Sequence, residues 1–500
     1  MKQITKRVTL LLLAVLLLAL SAACTTTPGN SQDTTNSLST STDTETSHDN
    51  DFNDIIPDDL PDDLDFGGEK VTFLWWTDDV DGPFENEGDG EVVSEALYDR
   101  DMKVEERLKV DLDHIGKIYT WGTQNEYISS ILTSAYAAEP LYDIVSGQYA
   151  IMPILIVEGV YLNLLQQEYL DFDKPWWIND VVENTSIAGK MYLATGSISE
   201  RTVSQAHCLY LNQKLLNDYQ LEDPTQIVLD GDWTFDKLIE MSTGKYRDLD
   251  EDQTKSVGDS FGLVFPDPNS YQGLEGAFEI YVTKNDSAGI PELVFGEGNV
   301  NEILTKIQET LTKPDFWQGV EGAFNTATFE EGRALFCEGT LGDAAHTYRD
   351  MEDKFLVLPL PKYSERQEEY HTKLGEANEL FGIMSNCDNV DAVAATMECL
   401  ASEGYRRVDP AFYEVALKIK FNKADQPAQI FDLIRNGITY DFGSLYGYSI
   451  QMQYQIKGYM TPAVNGNGET TSWSTYWSKY ASSSQRRLAQ FIADVMELDH

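Results

Sequence analysis

The chain has 500 residues, and its 36 lysines and arginines face 83 aspartates and glutamates, giving a formal net charge of −47 at pH 7. A nucleic-acid-binding protein needs a basic surface to displace counterions from phosphate, so this balance excludes that class. It also excludes electrostatic adhesion to an anionic membrane. The 9 tryptophans and 26 tyrosines supply many side chains with an apolar face and a polar tip, which suit core packing or sugar rings.

The N-terminus has the layout of a secretory signal. Three basic side chains in residues 1–7 precede an apolar run from Val8 to Leu20, and small residues then lead to Cys24. The run is about a dozen residues, shorter than the roughly twenty that a spanning helix needs. This order resembles a bacterial lipobox, although Ser21 stands where an aliphatic residue is usual. We therefore expect residues 1–23 to be removed and Cys24 to be acylated.

Residues 24–67 have the composition of a tether. They consist mainly of Thr, Ser, Asn and Asp, and no Lys or Arg occurs between Arg7 and Lys70. Such a segment buries too little apolar surface to offset its ordering entropy, so we predict that it is disordered. Its acidic end, Asp58–Asp65, is predicted to stay extended because like charges repel.

The folded part begins with alternating strands and helices. More than 400 residues follow the tether, too many for one small core, so two lobes are expected. The alternation predicts βαβ units on a largely parallel sheet. Predicted strands are Lys70–Trp76, Lys109–Asp113 and Leu141–Val145, and predicted helices are Glu91–Leu108, Asn125–Ala138, Asn212–Tyr219, Thr234–Met241 (N-cap Thr234), Asn299–Leu311, Asp391–Glu403, Pro410–Ile419, Ala428–Gly437 and Gln485–Leu498.

The sequence carries no pattern of a catalytic or metal centre. The six histidines lack zinc spacing, and no nucleophile elbow, P-loop or dinucleotide glycine motif occurs. No catalytic residue, metal or cofactor is therefore predicted. The acidic runs 78–91 and 248–252 are interpreted as solvated loops, with calcium binding by the first left open. Beyond Cys24, buried free thiols are expected, with one disulfide left open, at Cys208, Cys337, Cys387 and Cys399.

Several segments in a fixed order together resemble the extracellular solute-binding proteins (family 1) that serve carbohydrate ABC importers. The match runs from about residue 70 to 445, and each motif alone is weak. The segments are Trp75-Trp76-Thr77-Asp78, Tyr98–Val110, Lys174–Tyr192 with Leu209–Leu216, Phe329–Phe336 (similar to a Phe-x-x-Gly helix), Phe355–Pro361 and Tyr413–Gly443.

The resemblance implies an α/β protein with a two-lobed fold of the periplasmic-binding-protein type II kind, whose lobes are joined by hinge crossover strands. The expected organisation has six parts. They are a signal peptide (1–23), a tether (24–67), first-lobe segments at 68–195 and 328–378, and second-lobe segments at 196–327 and 379–500, the last including the C-terminal helices.

Candidate ligand-binding residues follow strand ends, the expected crossovers and, for Asp343, the segment similar to a Phe-x-x-Gly helix, where the resemblance implies ligand contacts. Loops at the carboxyl ends of strands bind ligands in open α/β sheets. Because neighbouring strand residues face opposite ways, one of Trp75 and Trp76 is expected to point into the core. The spacing of Trp473 and Trp477 predicts one buried helical face. The candidates are Trp75, Trp76, Asp78, Gln148, Tyr149, Trp177, Asp343, Glu376 and Asn378.

The resemblance thus implies a monomeric binding protein, not an enzyme. It is expected to sit on the outer face of the cytoplasmic membrane through its lipid anchor, to capture a sugar or oligosaccharide, and to deliver it to the permease subunits of an ABC importer. Two alternatives stay open: a surface glycan hydrolase, and a binding lipoprotein for peptides or other solutes. No cofactor and no nucleic-acid partner are expected.

Overall fold

The computed structural model describes residues 56–77, 92–120, 122–320, 325–413, 428–464 and 471–498. The predicted signal, Cys24, most of the tether, Asp78 and the acidic loop 78–91 lie outside these residues. Within the described ranges, no helix combines the length and the apolar character needed to cross a membrane.

The first three strands and most of the longer helices lie close to their predicted positions, whereas the predicted helix Pro410–Ile419 lies mostly outside the described residues. The strands are β1 (Glu69–Thr77), β2 (Val110–Ile118), β3 (Ile144–Gln148), β4 (His207–Asn212), β5 (Phe261–Phe265), β6 (Thr283–Asn285), β7 (Pro291–Leu293), β8 (Phe316–Gln318), β9 (Ala334–Thr340), β10 (Phe355–Leu358) and β11 (Glu379–Ile383). The helices are α1 (Val92–Leu108), α2 (Gln124–Ala135), α3 (Asn179–Thr185), α4 (Arg201–Ser204), α5 (Gln213–Asp218), α6 (Thr225–Leu229), α7 (Phe235–Ser242), α8 (Tyr271–Ala277), α9 (Val300–Leu311), α10 (Ala327–Glu330), α11 (Val390–Glu403), α12 (Gln429–Asn436), α13 (Phe442–Leu445), α14 (Gly447–Ile450), α15 (Gln455–Val464), α16 (Trp473–Trp477) and α17 (Ala481–Met496). Short 3₁₀ turns occur at Met152–Glu158, Leu164–Gln166, Pro268–Ser270 and Leu341–Ala344, and a π-helical turn at Gly404–Val408.

The first lobe is built on a four-stranded sheet in the order β11-β3-β1-β2. Strand β1 pairs in parallel with β2 and with β3, as the βαβ pattern predicts, whereas β11 joins the edge of β3 antiparallel. Residues 71–77 of β1 are all buried, the pattern of a strand covered on both faces. Helices α1 and α11 pack against each other, and α11 also contacts β1. The parallel strands place their carboxyl ends at one edge of this sheet.

The second lobe is built on a five-stranded mixed sheet in the order β10-β4-β9-β5-β8. Strand β5 is parallel to β8 and β9, and β4 is antiparallel to β9 and β10. The expected grouping of the later segments was therefore wrong. Strands β9 and β10, within 328–378, belong to the second lobe, and β11 with α11, at the start of 379–500, belongs to the first.

Two chain segments connect the lobes side by side. Residues 194–206 lead from the first lobe to the second, and residues 372–379 lead back. They pair with the sheets and with each other through the bridges Ala194–Phe381 and Ala206–Leu374. A third segment runs parallel to the return crossover at the Thr372–Ile438 bridge. These paired segments form the hinge between the two sheets.

The C-terminal helices contact both lobes. Helices α15 and α16 pack on α9 of the second lobe, whereas α17 packs on the 3₁₀ turn Met152–Glu158 of the first. Trp473 and Trp477 in α16 are buried and stacked with ring centroids 6.0 Å apart, which confirms their predicted inward face. The predicted N-cap Thr234 is also confirmed, because its side chain accepts a hydrogen bond from the Lys237 backbone N–H.

The end of the predicted tether is not disordered. Residues 56–67 lie against the first lobe, where Leu60 is buried and Leu64 and Phe66 pack against the core. Asp58 is also buried, and its carboxylate accepts hydrogen bonds from Arg107 (2.5 Å), Arg406 (3.2 Å) and Ser402 (3.0 Å). These contacts hold the pKa of Asp58 below its ordinary value, although burial alone would raise it. The two guanidinium groups outweigh the charge repulsion that the sequence predicted.

Two further expectations are settled by local geometry. The Phe329–Phe336 segment is a helix only at α10. The chain then turns at Gly332, whose φ is +69°, and continues as the buried strand β9. Positive φ favours glycine, which explains the turn at this position. The four described cysteines (Cys208, Cys337, Cys387 and Cys399) are free and buried, as expected.

Candidate functional site

Aromatic side chains cluster where the parallel strands of the first sheet end. Trp76 lies near the end of β1, Tyr119 follows β2, and Tyr149 follows β3. Trp76 and Tyr119 are 1% and 2% exposed, and their rings meet edge to face with centroids 5.7 Å apart. The indole N–H of Trp76 and the hydroxyl of Tyr119 have no hydrogen-bond partner among the described residues. Buried polar groups rarely lack a partner, so such positions are candidates for ligand contact.

A chain of hydrogen bonds joins the two lobes beside these aromatic rings. The Tyr149 hydroxyl donates to Oε1 of Gln272, in α8 of the second lobe, at 3.3 Å. The amide Nε2 of Gln272 donates to Oε1 of Glu376, in the return crossover, at 2.6 Å. Burial, together with the negative charge of Glu376, raises the pKa of Tyr149 well above its ordinary value. The same two causes and Tyr448 raise the pKa of Tyr119 to about 12, so both phenols stay protonated and can donate.

A buried carboxylate lies next to this cluster. Glu379 begins β11 directly opposite Gln148 of β3, and its side chain is fully buried. Its Oε1 accepts a hydrogen bond from Ser146 Oγ at 3.4 Å, while its Oε2 and the Oε1 of Gln148 lack a partner among the described residues. Burial raises the pKa of Glu379 to about 7, although the positive charge of Arg201 opposes the rise.

Arg201 connects the outgoing crossover to the aromatic cluster. It begins α4, and its guanidinium carbon lies 4.1 Å from the centroid of the Trp76 ring. A cation over an indole face at this distance is attracted by the ring quadrupole. We define the interlobe site by the residues that both lobes and both crossovers bring together: Trp76, Tyr119, Gln148, Tyr149, Arg201, Gln272, Glu376 and Glu379.

The space enclosed beside Tyr149 is small. A cavity of ≈ 20 Å³ is lined by residues that include Tyr149, Gln272, Lys373, Gln453 and Gln455. That volume holds about one water molecule, whereas small-molecule sites enclose roughly 300–1,000 Å³. The lobes are therefore in contact here, and the space between them has no room for a small molecule.

Several predicted site residues have structural partners instead. Trp75 lies in the core of the first lobe, stacks on Phe73 and donates its indole N–H to Nδ1 of His114 at 2.6 Å. Asp343 caps the turn at Leu341–Ala344, where its carboxylate accepts hydrogen bonds from Thr340 and Thr347. Neither side chain belongs to the interlobe site. Strand alternation turns Trp75 into the core, and the cap holds Asp343 at its own turn.

Trp177 is held by a carboxylate within the first lobe. The indole N–H groups of Trp176 and Trp177 donate to the two oxygens of Glu398 at 2.8 and 2.9 Å. Burial raises the pKa of Glu398 to about 7. Trp177 also lines a separate cavity of ≈ 330 Å³ near the hinge with residues such as His371 and Arg435. Because the indole N–H of Trp177 already donates to Glu398, Trp177 does not belong to the interlobe site.

Asn378 stabilises the hinge. The side chain is fully buried, its Nδ2 donates to the Tyr440 hydroxyl at 2.7 Å, and its Oδ1 accepts from Thr195 at 3.3 Å. It thereby ties the outgoing crossover, the return crossover and the third connecting segment together. Of the nine predicted ligand residues, Trp76, Gln148, Tyr149 and Glu376 meet in the interlobe site, whereas Asp78 lies outside the described residues.

Sequence reasoning missed Tyr119, Arg201, Gln272 and Glu379. Tyr119 follows β2 as Tyr149 follows β3, so the strand-end rule that selected Tyr149 also selects it. Glu379 is adjacent to the selected pair Glu376 and Asn378. Arg201 and Gln272 gave no such signal, because their role depends on contacts between distant segments.

Within the described chain, one group of carboxylates has the spacing to hold a metal ion. Ligand oxygens of Asp248, Asp250 and Asp252 lie within 4.8 Å of one another on the second lobe. The same side chains accept hydrogen bonds from the backbone N–H groups of Gln253, Asp252 and Thr254. These bonds fold the loop, and the arrangement is one that exposed acidic loops adopt without an ion.

Comparison with known proteins identifies the fold. No protein-family model matches the sequence, and no curated protein matches it. Among solved structures, the maltose-binding protein MalE of Listeria monocytogenes in complex with maltose is 14% identical, with a TM-score of 0.56 over 84% of this chain and 98% of that one. UspC of M. tuberculosis gives 14% identity and a TM-score of 0.55 over 84% and 100% of the two chains. A family 1 extracellular solute-binding protein of Bifidobacterium longum subsp. infantis gives 17% and 0.51 over 85% and 100%.

These similarities extend over most of the chain and confirm the predicted fold class. The protein has the two-lobed α/β fold of periplasmic solute-binding proteins, with crossover segments that join the lobes. At such low identities, the likeness establishes the fold alone.

Proposed function

We propose that the chain is an exported, lipid-anchored binding protein that captures a sugar or oligosaccharide between its lobes and delivers it to the permease of an ABC importer. The observation that carries this proposal is the interlobe site, where buried aromatic rings adjoin polar atoms without partners. Apolar ring faces beside a few fixed hydrogen-bonding groups suit a sugar. The solved relatives named above include a protein in complex with maltose, which supports the choice of ligand class.

The proposed mechanism is capture by closure, with no bond broken. The lobes separate about the crossovers, the solute contacts the first-lobe aromatic residues, and closure brings Gln272 of the second lobe onto it. The Tyr149–Gln272 hydrogen bond spans the lobes in the closed form, so a ligand has to replace or extend it. Acylated Cys24 would keep the protein near its permease, on the outer face of the cytoplasmic membrane.

A thermal-shift screen of purified protein against neutral oligosaccharides, peptides and amino acids tests the ligand class. A sugar at 100 times its Kd should add about 2.7 kcal/mol to the free energy of unfolding. Stabilisation by peptides with no response to sugars would contradict the proposal. Release of reducing ends from a bound glycan would instead favour the alternative of a surface hydrolase. Intact-mass analysis of the membrane fraction tests acylation of Cys24.

A further inference from the structure

Carboxylates outnumber cations in and around the interlobe site. Lys373 Nζ lies 2.7 Å from Glu275 Oε2, so its charge is already matched. The charge of Arg201 acts on the buried carboxylates of Glu379 and Glu200. Glu376 is bound by the neutral amide of Gln272. In and around the site, the described carboxylates Glu200, Glu275, Glu376 and Glu379 therefore lie beside two cations, Arg201 and Lys373, each of which already interacts with one of them. Arg100, whose charge also acts on Glu200, pairs with Asp101 at 2.7 Å.

The polar atoms without partners are mainly acceptors. In the interlobe site they include Oε1 of Gln148 and Oε2 of Glu379, and the adjoining cavity adds Oε1 of Gln453 and of Gln455. The corresponding donors are the Trp76 indole N–H and the Tyr119 hydroxyl. Sugar hydroxyls both donate and accept, so they can satisfy this set. An ionised carboxylate or phosphate only accepts, so it could accept from these two donors but could not satisfy the unpaired oxygen atoms.

We infer that the interlobe site selects neutral oligosaccharides and rejects acidic ones, namely uronate-containing and phosphorylated sugars. This inference rests on the proposed function and narrows its ligand class. A negative group entering the closed site would be desolvated beside the carboxylate of Glu376 with no unmatched cation to receive it, which is costly in a buried environment. The net charge of −47 adds a weaker, long-range repulsion of anions.

The test compares matched ligands by calorimetry or thermal shift. Two ligand pairs are used: galactotriose with trigalacturonate, and cellotriose with its C6-oxidised tri-glucuronate. Within each pair, the acidic member carries carboxylates in place of the hydroxymethyl groups. We expect the neutral member of the bound pair to bind at least ten-fold tighter at 150 mM salt. The preference should persist at 500 mM salt, because nearby buried charges are screened less than distant ones. A preference that vanishes at 500 mM salt would overturn the assignment to the site carboxylates.

A charge-neutralising variant tests the residues themselves. Glu376→Gln keeps an oxygen that can accept from Gln272 and removes the charge, so the ratio of neutral to acidic affinity should fall several-fold. Glu365→Gln, at an exposed position of the second lobe, is the matched control and should leave the ratio unchanged. Equal or tighter binding of the uronates by the unmodified protein overturns the inference while leaving sugar binding intact. Binding of neither member of any pair overturns the proposed function and the inference together.

Discussion

The guanidinium group of Arg201 stacks on the indole ring of Trp76, with the guanidinium carbon 4.1 Å from the ring centroid. This contact joins the crossover that leaves the first lobe to the strand that begins it. It also covers one face of the ring that we assign to the ligand. Under the proposed function, a sugar that stacks on that face has to displace Arg201, which would couple sugar binding to movement of the crossover.

Replacing Arg201 should weaken the fold. Arg201→Gln removes the cation–π contact and leaves Glu379 without the positive charge that opposes its raised pKa. We expect the free energy of unfolding to fall by about 1–3 kcal/mol. Urea denaturation followed by circular dichroism measures the change. Arg486→Gln, at an exposed position of α17, is the control and should stay within about 0.5 kcal/mol of the parent protein. Equal effects of the two substitutions would contradict a role for the stacked pair.

The neighbouring tryptophans should have opposite phenotypes. Trp75→Phe removes a donor that binds His114 in the core, so it should lower stability by about 1–3 kcal/mol with little effect on sugar affinity. Trp76→Phe removes an N–H that has no partner among the described residues, so stability should change less. Its sugar affinity should fall about ten-fold, equivalent to 1.4 kcal/mol. Calorimetric titration and thermal unfolding of both variants separate the two effects, and unchanged affinity in Trp76→Phe would remove that residue from the site.

Glu379 should make the fold less stable as the pH rises. Its folded pKa is raised to about 7 from an ordinary 4.5, so the unfolded chain loses this proton first. The stabilising contribution is complete below the unfolded pKa and is lost as the pH rises through about 7. As the pH rises from 4.5 to 8, the free energy of unfolding of the parent should therefore fall by more than that of Glu379→Gln. The difference between the two falls should be about 3 kcal/mol at most. Thermal unfolding across this range measures the difference. Glu309→Gln, at an exposed position, should parallel the parent, and a parallel Glu379→Gln profile would contradict the prediction.

Asp58 should control the order of the segment before β1. Its carboxylate is 1% exposed and meets both Arg107 and Arg406, so Asp58→Asn should cost about 3–5 kcal/mol. Limited chymotrypsin digestion should then cut near Leu60 or Phe66, sites that the packed segment protects in the parent. Asp59→Asn, at the neighbouring position, is the matched control. Its carboxylate is 70% exposed and pairs with Lys174, so its loss should cost less than about 1 kcal/mol. Unaltered protection in Asp58→Asn would disprove the docking role.

Local pattern predicted the first three strands and most of the longer helices, because their periodicities reflect burial within a few residues. The strands β1 to β3, the helices between them and the Thr234 cap all follow from such patterns. The assignment of each strand to one of the two sheets did not follow from local pattern. The start of β9 was interpreted as part of a helix. Only pairing with β4, more than 100 residues earlier in the chain, assigns β9 and β10 to the second lobe.

Residues of the interlobe site that follow a strand end could be predicted from the sequence. Residues that distant segments bring to the site could not. Trp76, Gln148 and Tyr149 follow from the edge rule for parallel strands. Arg201 and Gln272 reach the same place from a crossover and from the second lobe. The tether shows the same limit, because composition predicted repulsion among its aspartates, whereas Asp58 meets arginines 49 and 348 residues further along the chain.

The docked segment 56–67 has a mechanical consequence. Its contacts with Arg107, Ser402, Arg406 and Lys174 all lie on the first lobe, so tension applied to the chain ahead of residue 56 is carried by that lobe and bypasses the hinge. If Cys24 is acylated as proposed, the first lobe is the anchored body and the second lobe moves relative to it. Under that proposal, drag on the tether would neither separate the lobes nor hold them together.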